Sequence, residues 1–272
     1  MFEQKHNSKG NQLKLQVDNQ WIKADYLGYE SLSEVVVSKL LQRSNVDNFV
    51  KYSYTQHTFA NALHNCCISD NFVNGLTEVS LAKLFEQNFN VDLYAEMENL
   101  MLSVEECIEY IVHNTEAVTG IKDFGKYLTC LFEIDALFLN EDRHFRNIEV
   151  LYNPSTGEYS LPPYFDFGAS LLSDTSLYFP LSKSVQRCIE DVKAKPLSPD
   201  FKEQVNGARH LYGSQFKLKI SESLVDTIIK EFNGIYDAAI LDRVKYIILS
   251  QCSKYKEMVT LTSYESAASF FK

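Results

Sequence analysis

The sequence predicts an α+β protein of two lobes, a small β-rich lobe followed by a larger helical one. Three observations carry this expectation. The first sixty or so residues alternate short strand-type runs with one helix-type run. Helical apolar spacing dominates from about Leu76 onward. Between the helical stretches stands a polar loop, LNEDRHFRNIEV (Leu139–Val150), with apolar sequence on both sides. At 272 residues, 45% hydrophobic and 13% aromatic, the chain is long enough to bury a large core in one or two domains.

The elements follow in order. LKLQV alternates, Asp18 and Asn19 make a turn, and WIKADYL completes a hairpin. SLSEVVVSKLLQRS predicts a helix capped by Ser31 or Ser33, with Val36, Val37, Leu40 and Leu41 on one face. NFVKYSYTQHTF predicts another strand, giving β-β-α-β. TEVSLAKLFEQNF, SVEECIEYIVHNTEAVTG and DFGKYLTCLFEIDALFLN each carry i, i+3, i+4 apolar spacing, with Gly120 a C-cap for the second. NIEVLYN, the turn Pro154–Gly157 and EYSLPPYFDFG predict a second hairpin. An irregular stretch from Ala169 to about Pro199 precedes two more amphipathic helices, SESLVDTIIKEF and DAAILDRVKYIILSQCSKYKEMV. The expected division is residues 1–58 for the first lobe and 59–272 for the second.

Composition excludes several function classes. A net charge of −10 and a pI near 5.1 disfavour direct nucleic-acid binding. No run of 18 apolar residues and no apolar signal region occur, so membrane insertion and secretion are not expected. Six cysteines without a C-x-x-C read as buried free thiols in a reducing compartment. The expected location is the cytoplasm, with delivery into a host cell left open.

The polar loop carries the chemistry. Asp142 and Asn147 stand five residues apart, and Asp166-Phe167-Gly168 follows nineteen residues later, across the hairpin. Phosphoryl transfer needs a carboxylate near the attacking hydroxyl and oxygen ligands that hold Mg²⁺ against phosphates. A D-x-x-x-x-N loop followed by D-F-G supplies a base (Asp142) and two metal ligands (Asn147 and Asp166). Either motif alone is weak; their order and the hairpin between them give the pair its weight. Upstream, Lys23 lies on a strand and Glu34 on the helix after it, the pair that holds ATP phosphates in kinases. Lys14 is the competing strand lysine. NSKGNQLK (Asn7–Lys14) is the candidate phosphate loop, with Ser8, Lys9 and one glycine, Gly10. The link between lobes is expected through Phe49–Gln56, placing backbone near Tyr52 and Tyr54 at the adenine edge. Lys183, Arg187, Lys193 and Lys195 give the segment Ser173–Pro199 a local basic excess suited to a phosphorylated or acidic substrate.

NEDRHFRN, a hairpin and FDFGASLL, together with SKGNQLKLQV and WIKAD, resemble the HipA-like bacterial serine/threonine kinases over residues 7–175. The Asp-Arg-His-x-x-Asn form is also similar to phosphoinositide kinases. The resemblance implies a bilobal protein-kinase-like fold and use of ATP and Mg²⁺. It implies that Lys23 binds ATP phosphates, Asp142 is the base, Asn147 and Asp166 are metal ligands, and His144 assists at the γ-phosphate. It further implies autophosphorylation at Ser8, a protein substrate and an antitoxin partner. The extra N-terminal subdomain of full-length HipA proteins is not matched, so operator-bound repression is not expected. Two other readings keep the fold: a lipid or small-molecule kinase, and a nucleotide-binding pseudokinase. Arg143 is expected to brace the loop by ion pairing.

Overall fold

The computed structural model describes residues 13–261. β1 (Lys14–Val17) and β2 (Gln20–Ala24) form the expected hairpin, with Lys14 opposite Lys23. α1 (Glu30–Leu41) follows directly. Neither Ser31 nor Ser33 caps it: both are buried inside the helix, and Tyr29 at the cap position makes no side-chain cap bond. Carboxylates replace the serine cap. Asp25 Oδ1 accepts the Ser31 N–H (2.6 Å), and the Glu30 carboxylate accepts those of Tyr26, Leu27 and Gly28. α1 is buried nearly all round, as befits a helix clasped between a sheet and a second lobe.

β3 (Ser53–Phe59) and β4 (Ala62–Asp70) form a tight hairpin whose turn residues, Ala60 and Asn61, both have positive φ (46° and 69°). That turn matches the natural strand twist. The four strands make one antiparallel sheet in the order β1-β2-β4-β3. The lobe boundary expected after residue 58 therefore falls inside β3. The chain leaves the sheet only at Asp70, because β4 must return to pair with both β2 and β3.

The helical lobe opens with β5 (Thr77–Ser80) and α2 (Leu81–Phe89). Thr77–Ser80, expected as the start of a helix, is instead a strand, because it pairs with β6 (below) and Ser80 caps α2. α3 (Leu93–Leu100) then has an Asp92 cap. α4 (Val104–Thr119) begins with a Ser103–Glu106 capping box and ends at Gly120, φ 73°, as the sequence predicts. α5 (Phe124–Phe138) is the central helix: every residue but Lys126 is buried. Its apolar spacing suggested one exposed face, yet its polar side chains Glu133 and Asp135 are buried acceptors.

β6 (Glu149–Tyr152) and β7 (Tyr159–Ser160) form the second hairpin and join β5 in a three-stranded sheet. β7 is short because Pro162 and Pro163 follow and cannot donate to a ladder. The stretch expected to be irregular contains α6 (Val185–Asp191). α7 (Phe201–Tyr212), absent from the sequence expectation, packs so closely on α5 that a Cβ on Gly125 would lie 2.4 Å from the Tyr212 ring. β8 (Leu218–Ile220), α8 (Glu222–Lys230), α9 (Ala238–Lys254) and β9 (Val259–Leu261) complete the lobe, with β8 and β9 parallel. All six cysteines are free and buried, and no described helix is long and apolar enough to cross a membrane. The architecture is α+β and bilobal: a small antiparallel sheet carrying one helix, and a larger helical lobe.

Candidate active site

β2 and α1 bring Lys23 and Glu34 together. Lys23 Nζ lies 2.8 Å from Glu34 Oε1 and 3.0 Å from Asp166 Oδ1, and the lysine is nearly buried. Glu34 Oε2 accepts the Phe167 N–H at 2.8 Å, so one glutamate ties the lysine to the backbone of the D-F-G. The Asp166 backbone is left-handed (φ 64°), an uncommon state that aspartate tolerates better than most residues. α1 clasps the turn that follows. Tyr29 Oη donates to the Leu171 carbonyl (2.6 Å), and Ser33 Oγ lies 2.8 and 3.0 Å from the Phe167 and Ser170 carbonyls. Of the two serines expected as caps, Ser33 stitches the lobes together, while Ser31 Oγ donates to the Lys23 carbonyl (3.2 Å) inside the small lobe.

Electrostatics sort the three charges. Burial alone would raise the Asp166 carboxyl, but the charges of Lys23, Lys14 and Arg143 outweigh it and hold Asp166 below the usual carboxylate range. Burial pushes Glu34 up, with Lys23 opposing. Burial would lower Lys23, but Asp166 and Glu34 raise it well above its ordinary value. A cationic lysine and an ionised Asp166 thus face each other at neutral pH.

The catalytic-type loop starts where α5 ends, at Leu139 in a left-handed turn (φ 56°). Its brace is Arg143, fully buried. Arg143 Nε and Nη2 reach Asp135 Oδ2 and Oδ1 (2.8 and 3.2 Å), and its other protons go to the Asn147, Phe165 and Asp166 carbonyls. Asn140 Nδ2 also donates to Asp135. Arg143 does brace the loop by ion pairing, as expected, and its partner Asp135 was not foreseen. Inside the loop, Asn147 Nδ2 donates to the Asp142 carbonyl at 3.0 Å, which leaves the amide oxygen of Asn147 as the free end of the group.

Asp142 has neighbours on both carboxylate oxygens. Lys195 Nζ lies 3.2 Å from Oδ1, and His144 Nε2 lies 4.0 Å from Oδ2. His144 Nδ1 accepts the Arg146 N–H, so the proton of the neutral ring is on Nε2, which is buried without a hydrogen-bond partner. Burial lowers the His144 pKa, so the ring is neutral at pH 7.

Not every expected site residue joins this cluster. Tyr52 does, but through its side chain: Lys23 Nζ is 3.4 Å from Tyr52 Oη, while the Tyr52 N–H is taken by Ser38. Tyr54 lies away from it, bonded to Asn65 and packed on Phe232 and Tyr236. Neither tyrosine lies on the stretch that joins the two lobes. β3 is the sheet's outer strand, and the link into the helical lobe is residues 71–76, after β4. Phe72 of that link packs at a tilt, its ring centroid 5.0 Å from that of Phe165, the residue before Asp166. Of the basic segment, Lys195 reaches the site, whereas Lys183 and Arg187 pair with Asp191. Ser8, Lys9 and Gly10 lie outside the described residues.

The donors present suit Mg²⁺. An ionised carboxylate and an amide oxygen are hard ligands, and Mg²⁺ takes most of its remaining shell from phosphates and water. Among the described residues no group of three acidic, His or Cys side chains is placed to hold a metal ion.

This lobe arrangement, with a lysine–glutamate pair facing a D-F-G aspartate, defines a kinase-type fold. Among solved structures, the chain is similar to the Helicobacter pylori proinflammatory kinase CtkA, with a TM-score of 0.58 and 14% sequence identity over 93% of this chain and 91% of that one. That likeness is one of fold. No protein-family model and no curated protein matches the sequence.

Proposed function

We propose that this protein is an ATP- and Mg²⁺-dependent phosphotransferase of HipA-like type that phosphorylates serine or threonine hydroxyls of a protein. The observation that carries the reading is Lys23 held between Glu34 and Asp166, with Asp142 on a loop braced through Arg143 to the backbone of that same Asp166. Chance motifs do not converge in this way. The fold likeness to a solved kinase supports it.

In this mechanism Lys23 binds the α- and β-phosphates, and Glu34 sets its position. Asn147 and Asp166 would hold the metal, which when bound neutralises charge on the β- and γ-phosphates. The acceptor hydroxyl oxygen attacks the γ-phosphorus and forms the new O–P bond. Its proton passes to the Asp142 carboxylate, and the bridging bond to the β-phosphate breaks, its electron pair leaving on ADP. His144 Nε2–H, buried without an acceptor, is placed to donate to a phosphoryl oxygen. A pseudokinase reading has less support, because the lysine, glutamate, both aspartates and the asparagine are all present. The antitoxin partner and cytoplasmic location stay as extensions of the HipA-like resemblance, and the neighbouring open reading frame is the place to look for the former.

Radiolabelled ATP tests the proposal directly. Wild-type protein with Mg²⁺ is expected to label itself or a protein acceptor, and Asp142→Asn is expected to abolish the label while still binding ATP. Labelled phosphoinositide instead of labelled protein would move the reading to a lipid kinase.

A further inference from the structure

Loop residues Lys193–Pro199 connect α6 to α7 and end beside Asp142. The backbone of this connection is pinned from both sides by one side chain. Gln204 of α7, almost fully buried, donates through Nε2 to the Lys195 carbonyl (3.1 Å) and accepts the Leu197 N–H on Oε1 (2.9 Å). The Ala194 N–H closes the turn on the Pro199 carbonyl (3.0 Å). From that fixed base Lys195 sends Nζ to Asp142 Oδ1, with about half of its side chain exposed (49%). Of the other cations near the site, Lys23 lies between two carboxylates and Arg143 is buried against Asp135, while Lys14 stands opposite Lys23 and Arg146 is exposed near the Tyr94 phenol. The loop position two residues after Asp142 is His144, a neutral ring, and brings no cation to the transferring group.

We propose that Lys195 is a catalytic residue that binds the γ-phosphoryl group during transfer while holding the Asp142 carboxylate. The assignment rests on the phosphotransfer reading and names a residue that reading does not require. An ammonium group has three protons. One serves Asp142 Oδ1, which leaves two N–H bonds for phosphoryl oxygens. The reacting phosphoryl is where negative charge is redistributed as the bridging bond breaks, so a fixed cation there acts chiefly on the transition state. Because Gln204 holds the loop already, little ordering remains to be done when nucleotide arrives. The transfer itself stays as written above: hydroxyl proton to Asp142, new O–P bond, ADP departing.

The test compares wild type with Lys195→Ala, Lys195→Arg and, as a surface control on α7, Lys202→Ala. Lys195 is exposed enough that its variants fold. Steady-state phosphotransfer, MgATP Kd and binding of ADP with aluminium fluoride are measured for each. Lys195→Ala is expected to lower kcat about 10- to 100-fold, at or below the usual cost of removing one preorganised donor because the site is part-exposed. The affinity for ADP–aluminium fluoride is expected to fall by a similar factor, with MgATP Kd within about twofold of wild type. Lys195→Arg is expected to recover part of the loss, and Lys202→Ala to match wild type. An unchanged kcat in Lys195→Ala overturns the assignment, and so does a raised one, which would make the lysine a plug on the base. Wild type that neither binds nor turns over MgATP overturns the phosphotransfer reading and this assignment with it, and that failure appears in the wild-type arm alone.

Discussion

The two ends of the candidate site are built differently. At the lobe junction, Lys23, Glu34 and Asp166 form a largely buried, mutually paired cluster: Glu34 gives one oxygen to the lysine and the other to the Phe167 N–H. At the loop, Asp142 is flanked by a half-exposed lysine and a histidine nitrogen without a partner. The first is finished before any ligand arrives; the second keeps hydrogen-bonding capacity in reserve. Holding a nucleotide rewards rigidity, and stabilising a transient phosphoryl group rewards donors that are placed and not yet used.

Kinetics provide the sharpest way to break that comparison. Asp142→Asn is expected to lower kcat about 10²- to 10⁴-fold, the usual range for losing a general base. MgATP affinity should stay near the wild-type value. Glu34→Gln is expected to do the reverse in emphasis, raising the ATP KM more than it lowers kcat, because Lys23 loses one of two anchors. Equal effects of both variants on kcat and KM would merge the two regions into one functional unit.

The next largest effect concerns the group that joins the regions. Arg143 touches the loop through the Asn147 carbonyl and the D-F-G through the Phe165 and Asp166 carbonyls, all from one ion pair with Asp135. Arg143→Ala leaves Asp135 buried without its cation, at a cost of about 3–5 kcal/mol. Urea unfolding should show a lowered midpoint of that size, and a loss below about 1 kcal/mol, the level of an exposed pair, would contradict the bracing role.

How much of this was legible beforehand depends on distance in sequence. Asp142, Asn147 and Asp166 declare themselves through short motifs, and Lys23 and Glu34 through a strand followed at once by a helix. Asp135 was hidden because it sits among Ile, Ala, Leu and Phe in a helix that reads as plain core, and only its buried partner eight residues on gives it meaning. Lys195 was visible as one positive charge among four, yet its meeting with Asp142 spans 53 residues and depends on α7, a helix rich in polar residues that the sequence reading lacked. The lobe link was misplaced for a topological reason. Period-two alternation shows that β3 is a strand but not that β4 lies between it and β2.

A pH experiment sharpens the lobe-junction side. Asp25 lies two residues after Lys23, and among the described residues no salt bridge reaches it. Burial pushes its pKa from 3.8 up to about 7, with the Ser31 and Tyr236 hydrogen bonds only partly opposing. A carboxyl whose pKa is raised on folding contributes stability that is complete below its unfolded pKa and lost as pH rises through its folded one. The Asp25 contribution to stability is therefore expected to fall between about pH 4 and pH 7, at no more than the roughly 1.4 kcal/mol per pH unit that one proton allows. Asp25→Asn keeps an acceptor for Ser31 and should flatten that part of the profile. A variant whose unfolding midpoint tracks wild type across this range would show that Asp25 is ordinary.

The smallest predicted effect tests whether the lobe-junction cluster is rigid because of its charges or because of the stitches around it. Ser33 Oγ sits between the Phe167 and Ser170 carbonyls in a buried position, where an unpaired carbonyl is costly. Ser33→Ala removes one hydroxyl and leaves the ion pairs intact, so stability should drop by about 1–2 kcal/mol. Its kinetic signature is the informative part. If the charges alone fix the D-F-G, kcat and ATP KM stay at wild-type values despite the lost stability. If the backbone stitch fixes it, ATP KM rises as Asp166 loosens against Lys23, and the effect should shrink at low temperature, where local opening of the turn is rarer. The Glu34–Phe167 bond gives the first outcome the stronger claim, because it anchors the same peptide one residue from Asp166 whether or not Ser33 is there.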